Sequence, residues 1–321
     1  MNQHAAKNAP RLAERLYESM LRIRRVEEEI ERVYPTDKVK SPVHLSIGQE
    51  AVSVGVCEAL DPGDVVFGTY RGHAAYLAKG GDLRAMVAEL YGKVTGCARG
   101  KAGSMHLVDV AKGMMGTSAV VATTIPQAVG YAMAEKMRKS GKIVVCFFGD
   151  GAMEEGVFHE SMNFAALKKL PVLFVCENNL YAIYTPLPTR VPEANFCERA
   201  RAYKVRAEKV ESGDVYDIHK AASEAVRRIR AGEGPEFLEV MTCRWRDHVG
   251  PGEDHHLGYR SKDDVKAWME RDSIARLAKE LGDSGRQVAA RVEQDVKDAF
   301  DFAERSEFPP DSELYDHVFR D

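Results

Sequence analysis

The sequence predicts an α/β fold with a mainly parallel central sheet and helices on both faces. Three observations carry this. Residues 143–148 (IVVCFF) are a short, unbroken run of β-branched, aromatic and small apolar side chains, as expected of a strand buried on both faces. Residues 171–176 (PVLFVC) form a second such run. Between them, residues 158–170 have helical spacing, with Phe158, Met162, Ala165 and Ala166 on one side. Together they read as a βαβ unit whose strands are parallel neighbours joined by a right-handed crossover. Their polar tips, Gly149-Asp150-Gly151 and Glu177-Asn178-Asn179, then fall at one sheet edge, outside the carboxyl ends of the strands, where open α/β sheets bind ligands.

In chain order, residues 10–34 predict a helix with Leu12, Leu16, Met20, Ile23, Ile30 and Val33 on one face and Arg and Glu on the other. A second helix, rich in small residues, opens near Gln49 and ends at the turn Asp61-Pro62-Gly63-Asp64. VVFGT follows as a strand running into the tip Tyr70-Arg71-Gly72-His73, where an arginine suits bidentate recognition of an oxyanion, or simply ends a solvated strand. Residues 92–116 are rich in glycine and aperiodic, so they read as a long loop, and such loops inside compact domains are usually functional. This loop carries His106, read as facing a site or as structural. Residues 117–126 lead into a helix over 127–140. After the central unit, residues 185–196 form a proline-rich loop bearing Arg190, expected to lie over the site. Residues 215–231 are a helix and 235–245 a buried strand. That strand feeds a loop over 246–260 containing His248, Asp254, His255 and His256, the adjacent histidines reading as surface or substrate-facing. Residues 262–281 and 287–306 are amphipathic helices. No repeat or linker divides the chain, which is read as one domain over residues 1–321.

Composition narrows the class. The chain is 45% hydrophobic and 29% charged, ordinary for a globular domain, and its net charge of −4 argues against a nucleic-acid footprint. Six cysteines form no CxxC pair, and Cys146 and Cys176 sit inside the apolar runs, so a reducing cytoplasm fits better than a disulfide framework. No apolar run approaches the roughly 20 residues of a membrane span. The amino-terminal residues lack the apolar core of a signal peptide.

The two tips have matching chemistry. Asp150 offers an anionic oxygen and Asn179 a neutral one, and hard cations such as Mg²⁺ take oxygen ligands, completing the shell with phosphates and water. Gly149 and Gly151 let the backbone bend and its N–H groups approach a phosphate. Read alone, Asp150 could equally be a helix cap.

GDG followed after just under 30 residues by NN resembles the diphosphate-binding motif of thiamine diphosphate enzymes. The fuller text GDGAMEEGVFHESMNFAALKKLPVLFVCENNLYAI is similar to the alpha subunit of the thiamine-dependent first component of 2-oxo acid dehydrogenase complexes, including acetoin dehydrogenase. The likeness runs along essentially the whole chain and implies a thiamine diphosphate-binding fold. It implies that Asp150, the Asn179 side chain and the Tyr181 carbonyl ligate Mg²⁺, with the backbone at Gly151 and Ala152 facing the diphosphate. TYRGH resembles the family's YRxH segment, so Tyr70 and Arg71 are expected to hold the diphosphate and His73 to border the reacting centre. GKAGSMH resembles its GGSMH segment. Where relatives read close to GIVGAQVP or GIVGGGIP, this chain reads SAVVATTIP; the match implies that the backbones at Ala119 and Val121 contact the aminopyrimidine, with Ala119 and Ala122 standing for glycines. His248 takes the place of the second histidine of a YHGHS-like segment, approaching the diphosphate; Arg246 and Asp247 replace its HG pair, and Val249 its serine.

The resemblance further implies catalytic roles for His73 and His248, since histidine exchanges protons near neutral pH. It implies a transketolase-like beta subunit supplying the carboxylate for the aminopyrimidine, in an assembly of two alpha and two beta chains. The small residues at 51–59 and 128–134 read as subunit contacts. The substrate class is a pyruvate-like 2-oxo acid or acetoin, the acyl group passing to a lipoyl acyltransferase. Two other readings stand beside it: a split transketolase-like subunit acting on a sugar or related ketone, and an interaction subunit that kept the fold without catalysis. A nicotinamide-dependent Rossmann enzyme needs a GxGxxG after the first strand, and the chain has none there.

Overall fold

The computed structural model describes residues 3–316 and 318, with side chains from position 12 onward. The amphipathic amino-terminal stretch forms α1 (Gln3–Val33), followed by α2 (Glu50–Cys57), β1 (Val65–Thr69), α3 (His73–Ala78), α4 (Leu83–Leu90) and β2 (Met114–Ser118). The central part comprises α5 (Thr124–Arg138), β3 (Val144–Gly149), α6 (Gly156–Leu167) and β4 (Val172–Asn178). A tight antiparallel ribbon, β5 (Tyr181–Ala182) with β6 (Thr185–Pro186), leads to the one-turn helix α7 (Leu187–Arg190). Then come α8 (Phe196–Ala202), β7 (Arg206–Val210), α9 (Val215–Arg230), β8 (Glu236–Met241), α10 (Lys262–Met269), α11 (Ser273–Leu281) and α12 (Asp283–Arg305).

Six strands pair throughout in parallel, in the order β2-β1-β3-β4-β8-β7. The expected βαβ unit is β3-α6-β4, and its register sets Gly149 opposite Glu177, so the two polar tips end level. Unbroken apolar runs are needed because the sheet is covered on both faces and period-2 side chains alternate between them. Val145, Phe147, Leu173, Val175, Leu238 and Val240 pack on one side with residues of α1, α2, α9 and α12. Val144, Cys146, Phe148, Phe174, Cys176 and Phe237 pack on the other with residues of α5, α6 and α8.

Three expectations are corrected and one strand was not expected. The glycine-rich stretch is not a loop to its end: residues 114–118 form β2, an edge strand whose one neighbour in the sheet is β1. MMGTS has neither alternation nor a long apolar run, because an edge strand with a glycine needs neither. Strand β7 had no reading at all; its sequence RAEKV mixes charge with apolar residues, as an opposite edge allows. The strand expected over 235–245 ends at Met241, and the chain beyond runs irregularly toward the site. The small residues of α2 are not free for a subunit contact. They let α2 lie against α9 within the chain, where a Cβ on Gly55 would come 2.8 Å from Ile218 Cγ2.

Gly55→Val therefore forces α2 off α9 and is expected to lower the unfolding free energy of the chain by roughly 1–3 kcal/mol, the usual cost of overpacking. Urea denaturation checks this; an unchanged midpoint contradicts the packing.

Candidate active site

The chain crosses from β1 to β2 on one side of the sheet and from β3 to β4 on the other, so the strand order reverses between β1 and β3. Crossovers that diverge leave a crevice at the carboxyl ends of the strands. A cavity of about 290 Å³ lies there. Its walls come from Thr69, Tyr70 and Arg71 after β1, Ser118, Val120 and Val121 after β2, Gly149 to Ala152 after β3, and Glu177, Asn179 and Tyr181 after β4. Gln49, Glu154, Glu155, Ile183 and His248 line it too.

At the β3 tip, Asp150 is 1% exposed and begins a 3₁₀ turn. Arg190 of α7 pairs with its carboxylate and, through its other terminal nitrogen, with Glu154. Burial raises the Asp150 carboxyl above its usual range, with Arg190 opposing. A Cβ on Gly151 would approach Ala182 Cβ to 3.0 Å, which keeps this backbone bare.

The β4 tip is built by its two asparagines. Asn178 turns inward, donating to Glu239 Oε1 (2.8 Å) and accepting from the Leu180 N–H (3.0 Å), and Leu180 adopts φ +71°. Asn179 accepts the Tyr181 N–H at Oδ1 (3.2 Å) and donates from Nδ2 to Gln49 Oε1 (3.0 Å). Glu177 precedes them on the cavity wall, and burial lifts its carboxyl to about 7, with Arg71 pulling the other way. Sequence reading passed over Glu177 as strand end, although the ENN triplet named it.

At the β1 tip, Arg71 is buried. Its guanidinium donates to Leu45 O (2.7 Å) and His248 O (3.2 Å), and burial, aided by Arg244, lowers it to about 10. The His248 ring sits edge-on to His44 (centroids 5.1 Å) and Tyr70 (5.6 Å). Burial, then Arg71, pushes both His44 and His248 down to about 3, so both imidazoles are neutral at physiological pH. His44 was missed because HLSIGQE reads only as the approach to a helix; its buried Nδ1 has no hydrogen-bond partner.

His73 is placed differently from expectation. It is fully buried as the first residue of α3 and does not line the cavity, its ring held between Glu27 Oε1 (3.1 Å from Nδ1) and Ser104 Oγ (2.8 Å from Nε2). A residue after Gly72 at a helix start turns into the protein, away from the strand tip. His106 is exposed, and its Nε2 accepts the N–H of Ala119 at 3.3 Å. Val121 lines the cavity while Ala119 flanks it. Ala122 has φ +64°, which explains why a glycine suits this position. Glu50 is no cavity acid: it is buried with Arg24 and accepts the Gly48 N–H at 2.9 Å.

The 246–260 loop is organised by Asp254. This fully buried carboxylate takes Arg244 Nη1 (3.1 Å), Arg260 (2.7 Å) and the Tyr259 hydroxyl, and both arginines also donate to the Arg246 carbonyl at 2.9 Å. Asp254 is thus the hub of the loop. His256 is exposed beside it, in a 3₁₀ turn with His255.

Asp150, Asn179 and Tyr181 give the cavity all-oxygen donors, which suits a hard cation, and Arg71 and Tyr70 give it oxyanion donors opposite. The residues fit a magnesium diphosphate group. Residues 18–311 match the family model described as dehydrogenase E1 component. The chain belongs to the dehydrogenase E1 component family. Members similar to it include the alpha subunit of acetoin:2,6-dichlorophenolindophenol oxidoreductase of Bacillus subtilis, 39% identical over 95% of this chain and 92% of that protein. The pyruvate dehydrogenase E1 component subunit alpha of Zymomonas mobilis is 38% identical over 94% and 87%, and the acetoin oxidoreductase alpha subunit of Cupriavidus necator 35% over 88% of each. The relatives named here thus include both pyruvate and acetoin enzymes.

Two outcomes follow for this E1 chain. Because the folded His44 and His248 refuse protons that the unfolded chain accepts, stability is expected to fall as pH drops below about 6.5 toward 3. In a His44→Asn/His248→Asn variant, the pH slope of urea-derived stability between pH 6 and 4.5 should be shallower by up to about two protons; an equal slope contradicts the burial of these rings. Ala122→Gly relieves a left-handed backbone and is expected to raise stability by about 1 kcal/mol. Destabilisation in the same assay would contradict that.

Proposed function

We propose that this chain is the catalytic alpha subunit of a thiamine diphosphate-dependent dehydrogenase that cleaves a pyruvate-like 2-oxo acid or acetoin. The observation that carries the reading is the convergence of Asp150, Asn179, Arg71 and Tyr70 from three strand ends on one cavity. Asp150, the Asn179 amide oxygen and the Tyr181 carbonyl hold Mg²⁺, and the Gly151 and Ala152 backbone faces the diphosphate that Tyr70 and Arg71 clamp. When bound, the cofactor supplies an acidic thiazolium carbon and an electron sink. The backbones at Ala119 and Val121 support the aminopyrimidine, and neutral His248 takes or gives a proton at the reacting centre. His73 serves indirectly, by locking the loop around Ser104 to the Arg71 segment.

A beta subunit, in an assembly of two alpha and two beta chains, covers the cavity and supplies the carboxylate for the aminopyrimidine. The exposed apolar rim of Val120, Val121, Ile183 and Val249 suits such a cover. It suits a sugar phosphate poorly, because a transketolase-type mouth calls for basic side chains. A lipoyl acyltransferase then receives the acyl group. We place the enzyme in the cytoplasm; among the described residues no helix is long and apolar enough to cross a membrane.

Asp150→Ala is expected to weaken thiamine diphosphate binding at least tenfold, about 1.4 kcal/mol, by calorimetry with the beta subunit present. Unchanged affinity sinks the metal assignment. With pyruvate or acetoin and 2,6-dichlorophenolindophenol, turnover should require the beta subunit. Robust turnover by the chain alone would place the missing acid here, with Glu177 the first suspect.

A further inference from the structure

A primary amide presents oxygen at one end and NH₂ at the other, and the two are nearly the same size. Only the oxygen can ligate a cation; the NH₂ repels it. Asn179 therefore works as a metal ligand only if something fixes which way round its amide sits, and its backbone does not do so. Two contacts do. The Tyr181 N–H is a donor and takes Oδ1 (3.2 Å). Gln49 Oε1 is an acceptor and takes Nδ2 (3.0 Å). Turning the amide over would set nitrogen against nitrogen at Tyr181, and oxygen against oxygen at Gln49 unless the Gln49 amide turned with it. Tyr181 uses only one of the two lone pairs on Oδ1, leaving the other available.

Gln49 is well placed to enforce this. It is 2% exposed, it is the residue before the first turn of α2, and its N–H is tied to Ser46 O at 2.7 Å. It reaches the cavity from an element remote in sequence from the motif that supplies the ligands. We propose that Gln49 is a positioning residue of the metal site, holding the Asn179 amide with its oxygen toward the cation. The inference rests on the Mg²⁺ reading given above and adds to it the residue that makes the asparagine competent.

A double-substitution test separates this role from a packing role. Asn179→Asp puts oxygen at both ends of the side chain, so orientation ceases to matter. The probe is Mg²⁺, titrated at fixed thiamine diphosphate into the complex of this chain with its beta subunit, and the readout is the Mg²⁺ concentration that half-saturates cofactor binding in calorimetry. Gln49→Met is expected to raise that concentration about fivefold with Asn179 in place, the scale of one neutral hydrogen bond. In the Asn179→Asp background the same substitution should change it less than twofold. Equal penalties in the two backgrounds, or none in either, overturn the proposal. If Gln49→Met fails to fold by its urea transition, Gln49→Asn, which keeps an amide but withdraws it by one methylene, must show the same coupling. Wild-type binding that ignores Mg²⁺ overturns the metal reading together with this one. Mg²⁺-dependent binding lost in Asp150→Ala but untouched in Gln49→Met and Gln49→Asn overturns the positioning role alone.

Discussion

Asp150 stands at the end of a strand flanked by parallel neighbours on both sides, almost wholly removed from water. A carboxylate in such a place must be matched by a cation. Arg190 matches it in this structure, and reaching it requires the ribbon β5–β6 to fold α7 back across the cavity edge. The same ribbon carries Tyr181 and Ala182, and its approach is why Gly151 has no room for a side chain. The turn of Asn178 and Leu180 that launches the ribbon is braced in turn by Glu239 on the neighbouring β8. One buried charge thus ties the β3 tip to α7 across 40 positions of the chain.

The opposite wall follows a different rule. Arg71 is buried without a carboxylate hydrogen-bonded to it and spends two of its five N–H donors on the carbonyls of Leu45 and His248. Burial keeps His44 and His248 unprotonated, and a guanidinium so placed adds to the effect. The histidine cluster therefore offers lone pairs and N–H groups rather than charge.

How much was legible in the sequence depended on whether a residue's role was local. The β3-α6-β4 unit could be read because buried strands and an amphipathic helix each leave a periodic trace, and its tips were named by glycine, aspartate and asparagine. Arg71 stood out at the same edge as a strand-end arginine, while the expectation for Tyr70 came from the resemblance of TYRGH to the family's YRxH segment. His44, Gln49 and Glu239 were not readable in their roles, since each acts through a residue far away in the chain: Gln49 meets Asn179 across 130 positions. His73 misled for the converse reason. Its neighbour Arg71 does enter the cavity wall, but two residues later a helix begins and the side chain turns inward. Edge strands β2 and β7 escaped because a strand with one neighbour tolerates glycine and charge. Ala122 was visible as a departure from the family pattern, while its left-handed backbone was not.

The Asp254 hub has a consequence for kinetics. Two guanidinium groups, from Arg244 and Arg260, share that single carboxylate, so the floor behind His248 keeps an uncompensated positive charge, and Arg71 adds another beside it. The facing wall carries carboxylates instead, Asp150, Glu154, Glu155 and Glu177, so the crevice has a positive side and a negative one. An anion is therefore drawn toward the Arg71 side and pushed from the other, so the field turns it as it arrives. The capture rate of an anionic ligand then carries the signature of ionic strength, damped over roughly 8 Å at physiological salt, while its release is governed by contacts that salt barely touches.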